Sequence, residues 1–135
     1  MARRTAPTWS EFRTMVTEEA LLELDQRLGS ARLEIDAPLA PLTTFRVGGT
    51  ADRLFHARTA DDLAESILVA RDLGVAHFLL GKGANVLVGD RGFRGLVIRC
   101  EVGGTHFSDD GLVRAGAGVE TYPDLIEASV SRGLG

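Results

Sequence analysis

A glycine-rich turn follows a short apolar run at residues 78–80 that is typical of a buried strand. The turn consists of Gly81, Lys82, Gly83, Ala84 and Asn85. Glycine permits a positive φ and a close approach of a ligand to the backbone, and successive N–H groups in such a turn form a concavity that binds anions. Lys82 adds a positive charge and Asn85 adds amide donors. These residues predict a diphosphate held by a loop between strands.

Two well-known phosphate-binding patterns do not match this turn. The dinucleotide fingerprint requires G-x-G-x-x-G at the start of a helix, but its third glycine would fall at Val86. The P-loop requires a lysine followed by serine or threonine, whereas Lys82 is followed by Gly83. Because glycines punctuate strands in many proteins, a plain hairpin turn remains the alternative to a phosphate site.

The composition is that of a globular protein with one domain or two small subdomains. The chain has 135 residues, of which 44% are hydrophobic and 25% charged, and its formal net charge is −4. The negative balance argues against a nucleic-acid-binding surface. No apolar run approaches the ~18 residues of a membrane span, and the N-terminus lacks the apolar core of a signal peptide. We therefore expect a cytoplasmic protein that binds neither nucleic acid nor membranes.

Neither a metal site nor a nucleophilic triad is predicted. The histidines at positions 56, 77 and 106 show no ligand spacing, and Cys100 is expected to be a buried residue at a strand end. Adjacent carboxylates at positions 61–62 and 109–110 do not face each other on a helix, so we expect a cap and a turn there.

Strand and helix patterns alternate around the glycine-rich turn. Helical periodicity covers residues 10–28, with Gly29 as a stop and Thr17 as an alternative start. Further helices are predicted from Thr59 to the stop at Gly74 and over residues 122–130. Strands are predicted at residues 42–49, 52–58, 78–80, 86–88 and 96–98, and a turn at residues 106–110 leads into residues 112–115.

Five motifs stand in one order along the chain: TFRVGG at residues 44–49, LGKGANVLV at 80–88, GFRGLVI at 92–98, GAGV at 116–119 and SRGL at 131–134. In this order they resemble the N-terminal part of a bacterial flavoenzyme family, the UDP-N-acetylenolpyruvoylglucosamine reductases, also called UDP-N-acetylmuramate dehydrogenases. The resemblance covers residues 37–135, and the N-terminal helix lies outside the common core.

The resemblance implies an α+β fold, the FAD-binding fold of the vanillyl-alcohol-oxidase (PCMH) type, truncated in its second subdomain. Residues 1–36 would form an N-terminal extension with a helix. Residues 37–102 would form the first FAD-binding subdomain, and residues 103–135 the start of the second. The substrate domain of the family would be absent.

The resemblance also implies FAD as the cofactor, with its diphosphate in the glycine-rich turn. The residues expected to contact FAD are Arg46, Val47, Gly48, Gly81, Lys82, Gly83, Ala84, Asn85, Val86, Gly116, Ala117, Gly118 and Val119. The full enzyme would be a monomer. In it, hydride would pass from NADPH through the flavin to the enolpyruvyl group of a nucleotide sugar. This reaction would be a step of peptidoglycan precursor synthesis.

The sequence differs from the family pattern in ways that affect the expected FAD binding and catalysis. Ala84 stands where serine is common, which removes a hydroxyl donor worth roughly 1.5–3 kcal/mol toward a charged partner. Thr50 stands where proline is frequent. The family continues past residue 134 with a domain that carries the proton-donating serine and its partners. We therefore expect no catalytic residue in this chain, and a fragment that is inactive alone.

Two other functions stay open. Another FAD-dependent oxidoreductase of the same fold is disfavoured by the motif at residues 44–49 and by the lack of any likeness to a covalent flavin attachment site. A stand-alone nucleotide-binding module without catalysis is compatible with a chain of 135 residues, which can bury a core.

Overall fold

A computed structural model describes residues 16–134 as a four-stranded sheet with two helices, followed by a hairpin and a short helix. In chain order the elements are α1 (Glu18–Leu28), β1 (Leu33–Pro38), β2 (Thr50–Ala57), α2 (Ala60–Asp72), β3 (His77–Leu80), β4 (Phe93–Cys100), β5 (Thr105–Phe107), β6 (Val113–Ala115) and α3 (Ile126–Val130). A helical turn at Thr121–Leu125 precedes α3.

The four-stranded sheet has the order β1-β2-β4-β3. Strand β1 pairs antiparallel with β2, whereas β4 runs parallel to both β2 and β3. The carboxyl ends of β2, β3 and β4 therefore lie at one edge of the sheet, because parallel strands point the same way. The second sheet is the antiparallel hairpin of β5 and β6.

The sheet separates two apolar layers, since successive residues of a strand point to opposite faces. On one face, Phe55 and Ile98 pack against α1 and α2. On the other, Leu54 and Val97 pack against Leu39 and Leu80, and partly buried loop residues lie over them. Helices cover one face of the sheet, and loops cover the other.

Helix α1 is fixed to the sheet by apolar packing and by one buried ion pair. Leu21, Leu24 and Leu28 are buried against the helix-covered face. The carboxylate of Asp25 accepts hydrogen bonds from Nε and Nη2 of Arg53 on β2, at 2.6 and 2.8 Å. The hydrogen bond to Asp25 holds the pKa of Arg53 above its ordinary value, so this guanidinium stays charged in the interior.

Several predicted elements are confirmed. Helix α2 begins after Thr59, which forms a capping box with Asp62, and ends before Gly74. Helix α1 begins at the alternative start, with Thr17 as its N-cap, and ends at Gly29. Residues 10–15 of the longer predicted helix lie outside the described residues. Strands β2, β3 and β4 overlap the runs predicted at residues 52–58, 78–80 and 96–98.

Two predicted strands are wrong, because residues 42–49 and 86–88 form no strand. Leu42, Val86 and Val88 nevertheless pack against the loop-covered face. An apolar run in a strand and an apolar run in a loop lying over a sheet give the same sequence pattern. The hairpin alternative for the glycine-rich turn is also excluded, since β3 and β4 on either side of it are parallel.

The C-terminal elements differ in detail from their predictions. Strand β5 occupies Thr105–Phe107, so the turn expected from residue 106 begins only after residue 107. The predicted helix over residues 122–130 is regular only in α3, and Tyr122 has non-helical backbone angles. Within residues 16–134, no helix is long and apolar enough to cross a membrane.

The buried ion pair between α1 and β2 yields a stability prediction. Asp25→Ala leaves the guanidinium of Arg53 buried without its partner, so the free energy of unfolding should fall by about 3–5 kcal/mol. Arg27→Gln is the control, because it breaks the exposed ion pair between Arg27 of α1 and Asp72 of α2 and should cost below about 1 kcal/mol. Urea-induced unfolding measures both, and equal losses would contradict the role given to Asp25.

Candidate functional site

Two loops lie side by side over the loop-covered face of the sheet. Loop A comprises residues 43–49, which lead into β2, and loop B comprises residues 81–91, which connect β3 to β4. The N–H of Thr44 donates to the carbonyl of Gly83 at 3.0 Å, and the N–H of Gly49 donates to the carbonyl of Gly89 at 3.0 Å. These bonds bring together two groups of predicted site residues, at positions 46–48 and 81–86.

Glycines at the contact between the loops allow the two backbones to approach closely. Gly83 has a φ of +68°, and a Cβ there would lie 2.1 Å from the carbonyl oxygen of Leu42. Gly48 has a φ of +116°, and a Cβ there would lie 2.5 Å from the carbonyl oxygen of Val88. Only glycine combines a positive φ with the absence of a Cβ, and both positions require the two together. Gly83 therefore serves the packing of the loops, whereas Gly81 has open space around it.

Loop B presents a row of backbone donors. In the described part of the chain, none of its N–H groups from residue 81 to residue 91 donates to a main-chain carbonyl, whereas the next one, of Gly92, donates to Gly89 at 2.9 Å. Gly81, Lys82, Ala84 and Asn85 are exposed. A run of unpaired donors at the surface attracts an anion, because each N–H carries a partial positive charge.

Cationic side chains accompany these donors. Arg46 of loop A and Lys82 of loop B are exposed, and neither forms an ion pair with a described residue. Residues 81–89 contain no carboxylate that would oppose them. Arg46 also has a φ of +53°, a conformation that is uncommon outside glycine. Backbone strain of this kind clusters at ligand sites, and the charges here suit an anion.

An apolar cleft of about 180 Å³ opens beneath loop B. Phe78, Leu80, Phe93 and Val97 of the sheet form its floor, and residues 86–89 form one wall. Sequence reasoning missed this cleft. The run from Val86 to Val88 was its only signal, and that run was interpreted as a strand.

The third group of predicted site residues, at positions 116–119, packs elsewhere. The N–H of Gly116 donates to the carbonyl of Gly104, and the N–H of Gly118 donates to that of Val102, each at 2.8 Å. The turn therefore rests on the segment that leaves the carboxyl end of β4. Within residues 16–134, no hydrogen bond joins it to loop A or loop B. The structure thus brings two of the three predicted groups together.

Cys100 and His56, which the sequence analysis also considered, contact other residues of the fold. Cys100 is buried at the end of β4, as predicted. His56 contacts two carboxylates, of Glu34 and Glu101, which sequence reasoning did not foresee. No group of three His, Cys, Asp or Glu side chains in the described residues is arranged to hold a metal ion.

The sequence matches curated proteins that share one name. It is 36% identical over 133 residues to the UDP-N-acetylenolpyruvoylglucosamine reductase of Streptomyces coelicolor, a match that covers 98% of this chain and 34% of that protein. It is 41% identical over 99 residues to the reductase of Streptomyces avermitilis, covering 73% of this chain and 27% of that protein. The chain belongs to the UDP-N-acetylenolpyruvoylglucosamine reductase family.

The relationship extends beyond one genus. The reductase of Parvibaculum lavamentivorans is 44% identical over 105 residues, covering 76% of this chain and 34% of the relative. This member of the reductase family spans about a third or less of the length of these relatives. No protein-family model matches the chain.

The fold also has a counterpart among solved structures. The crystal structure of p-cresol methylhydroxylase with substrate bound superposes with a TM-score of 0.54 at 12% identity, covering 94% of this chain and 26% of that one. At this identity the likeness concerns the fold alone. The predicted α+β fold of the PCMH type is therefore confirmed.

The different surroundings of two neighbouring glycines yield a prediction. Gly83→Ala places a Cβ against the backbone of loop A at a positive φ, so the free energy of unfolding should fall by more than about 2 kcal/mol. Gly81→Ala meets no atom within 4 Å and should change it by less than about 1 kcal/mol. Urea unfolding of the two variants tests this difference, and equal effects would show that the loops do not pack as described.

Proposed function

We propose that the chain is the FAD-binding portion of a UDP-N-acetylenolpyruvoylglucosamine reductase, with loop B at the FAD diphosphate. The observation that carries this proposal is the row of backbone N–H groups in loop B that donate to no carbonyl of residues 16–134, on a loop that also carries Lys82. A diphosphate needs many donors and positive charge, and residues 81–89 of this loop supply both and contain no carboxylate. The donor set therefore fits the group that the family implies.

Each loop residue would then have a defined task. The N–H groups of Lys82, Gly83, Ala84 and Asn85 would donate to diphosphate oxygens, with the Lys82 ammonium as a counter-charge. Val86 would lie beside the cofactor at the rim of the apolar cleft. Because the side chain of Ala84 has no hydroxyl, this residue would bind the diphosphate only through its backbone N–H.

Loop A and the turn at residues 116–119 would complete the contacts. Arg46 would bring a second cation toward the diphosphate, and Val47 and Gly48 would lie against the cofactor from the side of loop A. Gly116, Ala117, Gly118 and Val119 would contact the flavin from the second subdomain, whose start we place at residue 103. The first subdomain would then cover residues 37–102, after an N-terminal extension.

Bound FAD supplies hydride chemistry, since a flavin accepts hydride from one donor and delivers it to another acceptor. We propose NADPH as the donor and the enolpyruvyl ether of UDP-N-acetylglucosamine as the acceptor, in the cytoplasm and in a monomeric enzyme. The product would serve peptidoglycan synthesis. We assign no catalytic residue to these 135 residues, and we propose that proton transfer requires parts of the enzyme outside them.

FAD binding by the chain tests the proposal. Flavin fluorescence polarisation should give saturable binding, and Gly81→Asp should weaken the affinity at least about tenfold, because it places a carboxylate among the diphosphate donors. Gly81 is the suitable position since its surroundings are open, whereas a side chain at Gly83 would disrupt the loops themselves.

Gln26→Glu is the matched control, because it adds the same charge at an exposed position of α1. It should bind FAD like the unmodified chain. Equal affinity of the Gly81→Asp variant would remove loop B as the diphosphate site, and the absence of binding by a folded, unmodified chain would contradict FAD binding by this portion.

A further inference from the structure

Charged side chains from three strands meet where β2 and β4 end. Nδ1 of His56 lies 2.9 Å from Oε1 of Glu101, and Nε2 of His56 lies 3.1 Å from Oε1 of Glu34 on β1. Nε of Arg58 donates to Glu101 at 3.4 Å, and Nε of Arg99 lies 3.3 Å from the same carboxylate. The carboxylate of Glu101 therefore contacts nitrogen atoms of three side chains, those of His56, Arg58 and Arg99.

Glu101 is held by its backbone as well as by its side chain. Its N–H donates to the carbonyl of Ala57 at 2.7 Å, one residue beyond the paired part of β2 and β4. The hydrogen bond with His56 lowers the pKa of the Glu101 carboxyl, and the charge of Arg99 acts in the same direction. With 32% of its side chain exposed, Glu101 is partly shielded from water. Glu101 is thus an ionised residue that its backbone and side-chain contacts hold in place at the edge of the sheet.

The segment after Glu101 carries the turn at residues 116–119. Val102 accepts the N–H of Gly118, and Gly104 accepts the N–H of Gly116. A Cβ at Gly118 would lie 2.6 Å from the nitrogen of Val102 and 2.7 Å from the carbonyl carbon of Glu101. The turn is therefore in backbone contact with the anchored residue. A shift of Glu101 would move the surface on which the turn rests.

The segment after Glu101 is rich in glycine. Gly103 and Gly104 follow directly, and Gly104 has a φ of +94°. Glycines lose more conformational freedom on folding than other residues, so they do not by themselves hold a chain in place. The guanidinium of Arg132 lies 4.2 Å from the ring centroid of Phe107, which ties the chain after α3 to β5 but not to the first sheet. The turn thus meets the first sheet at Glu101 and at the end of β4, where a Cβ at Gly118 would lie 2.8 Å from the carbonyl oxygen of Cys100.

We propose that Glu101, held by His56, is a positioning residue that sets the Gly116–Gly118 turn against the first subdomain and thereby its contact with FAD. The part about FAD rests on the proposed function above. The part about the turn stands on the hydrogen bonds and close contacts of the described residues. Both ring nitrogens of His56 lie within hydrogen-bonding distance of a carboxylate, so the ring links Glu34 to Glu101.

Hydrogen exchange and FAD affinity of the whole 135-residue chain test the proposal together. Glu101→Gln removes the charge and keeps the size of the side chain, and amide exchange at Gly116 and Gly118 should become about three- to tenfold faster. The affinity for FAD should fall by a similar factor, while amides in the middle of β2 and β4 keep their exchange rates. His56→Gln keeps one N–H donor and should exchange more slowly at the turn than His56→Ala.

Glu65→Gln is the matched control. It makes the same substitution at a carboxylate of α2 that pairs with Arg32 at 3.0 Å. It should leave exchange at Gly116 and Gly118 unchanged relative to the sheet. Unchanged exchange in Glu101→Gln, or equally faster exchange throughout the sheet, would overturn the positioning role. If the unmodified chain does not bind FAD, the proposed function fails, whereas the exchange rates still decide the role of Glu101.

Discussion

The close backbone contact between loop A and loop B is the constraint on which the candidate site depends. Strands β3 and β4 are adjacent and parallel, so the chain must return across the sheet between them, and here it returns as a loop rather than a helix. Gly48 and Gly83 let that return path lie directly against the chain that enters β2. Because loop B does not pair with a neighbouring strand, its backbone N–H groups remain available to a ligand.

The rest of the fold provides a fixed support for these loops. Helices α1 and α2 cover one face of the sheet with apolar side chains, and the Asp25–Arg53 pair connects α1 to β2 in the interior. Among residues 16–134 no α-helix packs on the opposite face, and loop residues cover its apolar side chains. Val86 and Val88 do so from loop B, which ties the position of the donors to the packing of the sheet.

Local signals in the sequence predicted the elements whose ends are determined by neighbouring residues. Helix α2 was predicted from Thr59 at its start and Gly74 at its end, and the turn after β3 was predicted from Gly81 to Asn85. The α+β fold and the family came from the order of five motifs, and the comparisons confirm both. Such signals depend on residues close together in the chain, so a single sequence contains them.

The contacts between distant segments could not be predicted in the same way. Residues 86–88 have the composition of a strand, yet they cover a cleft, because pairing partners are chosen by the whole fold and not by three residues. The glycine at position 83 was interpreted as room for a ligand, but its tight surroundings are the backbone of Leu42 and Thr43. The contacts of Glu101 with His56 and Arg58 likewise depend on partners far away in the sequence.

Two-dimensional ¹H–¹⁵N NMR spectra of the chain, titrated separately with FAD and with ADP, test whether loop B binds the diphosphate. Both ligands carry a diphosphate, and only FAD carries a flavin. The amide resonances of Lys82, Gly83, Ala84 and Asn85 should move with either ligand, because their N–H groups bind the group that both share. Saturation with FAD that leaves these four amides unmoved would contradict the assignment of loop B as the diphosphate site.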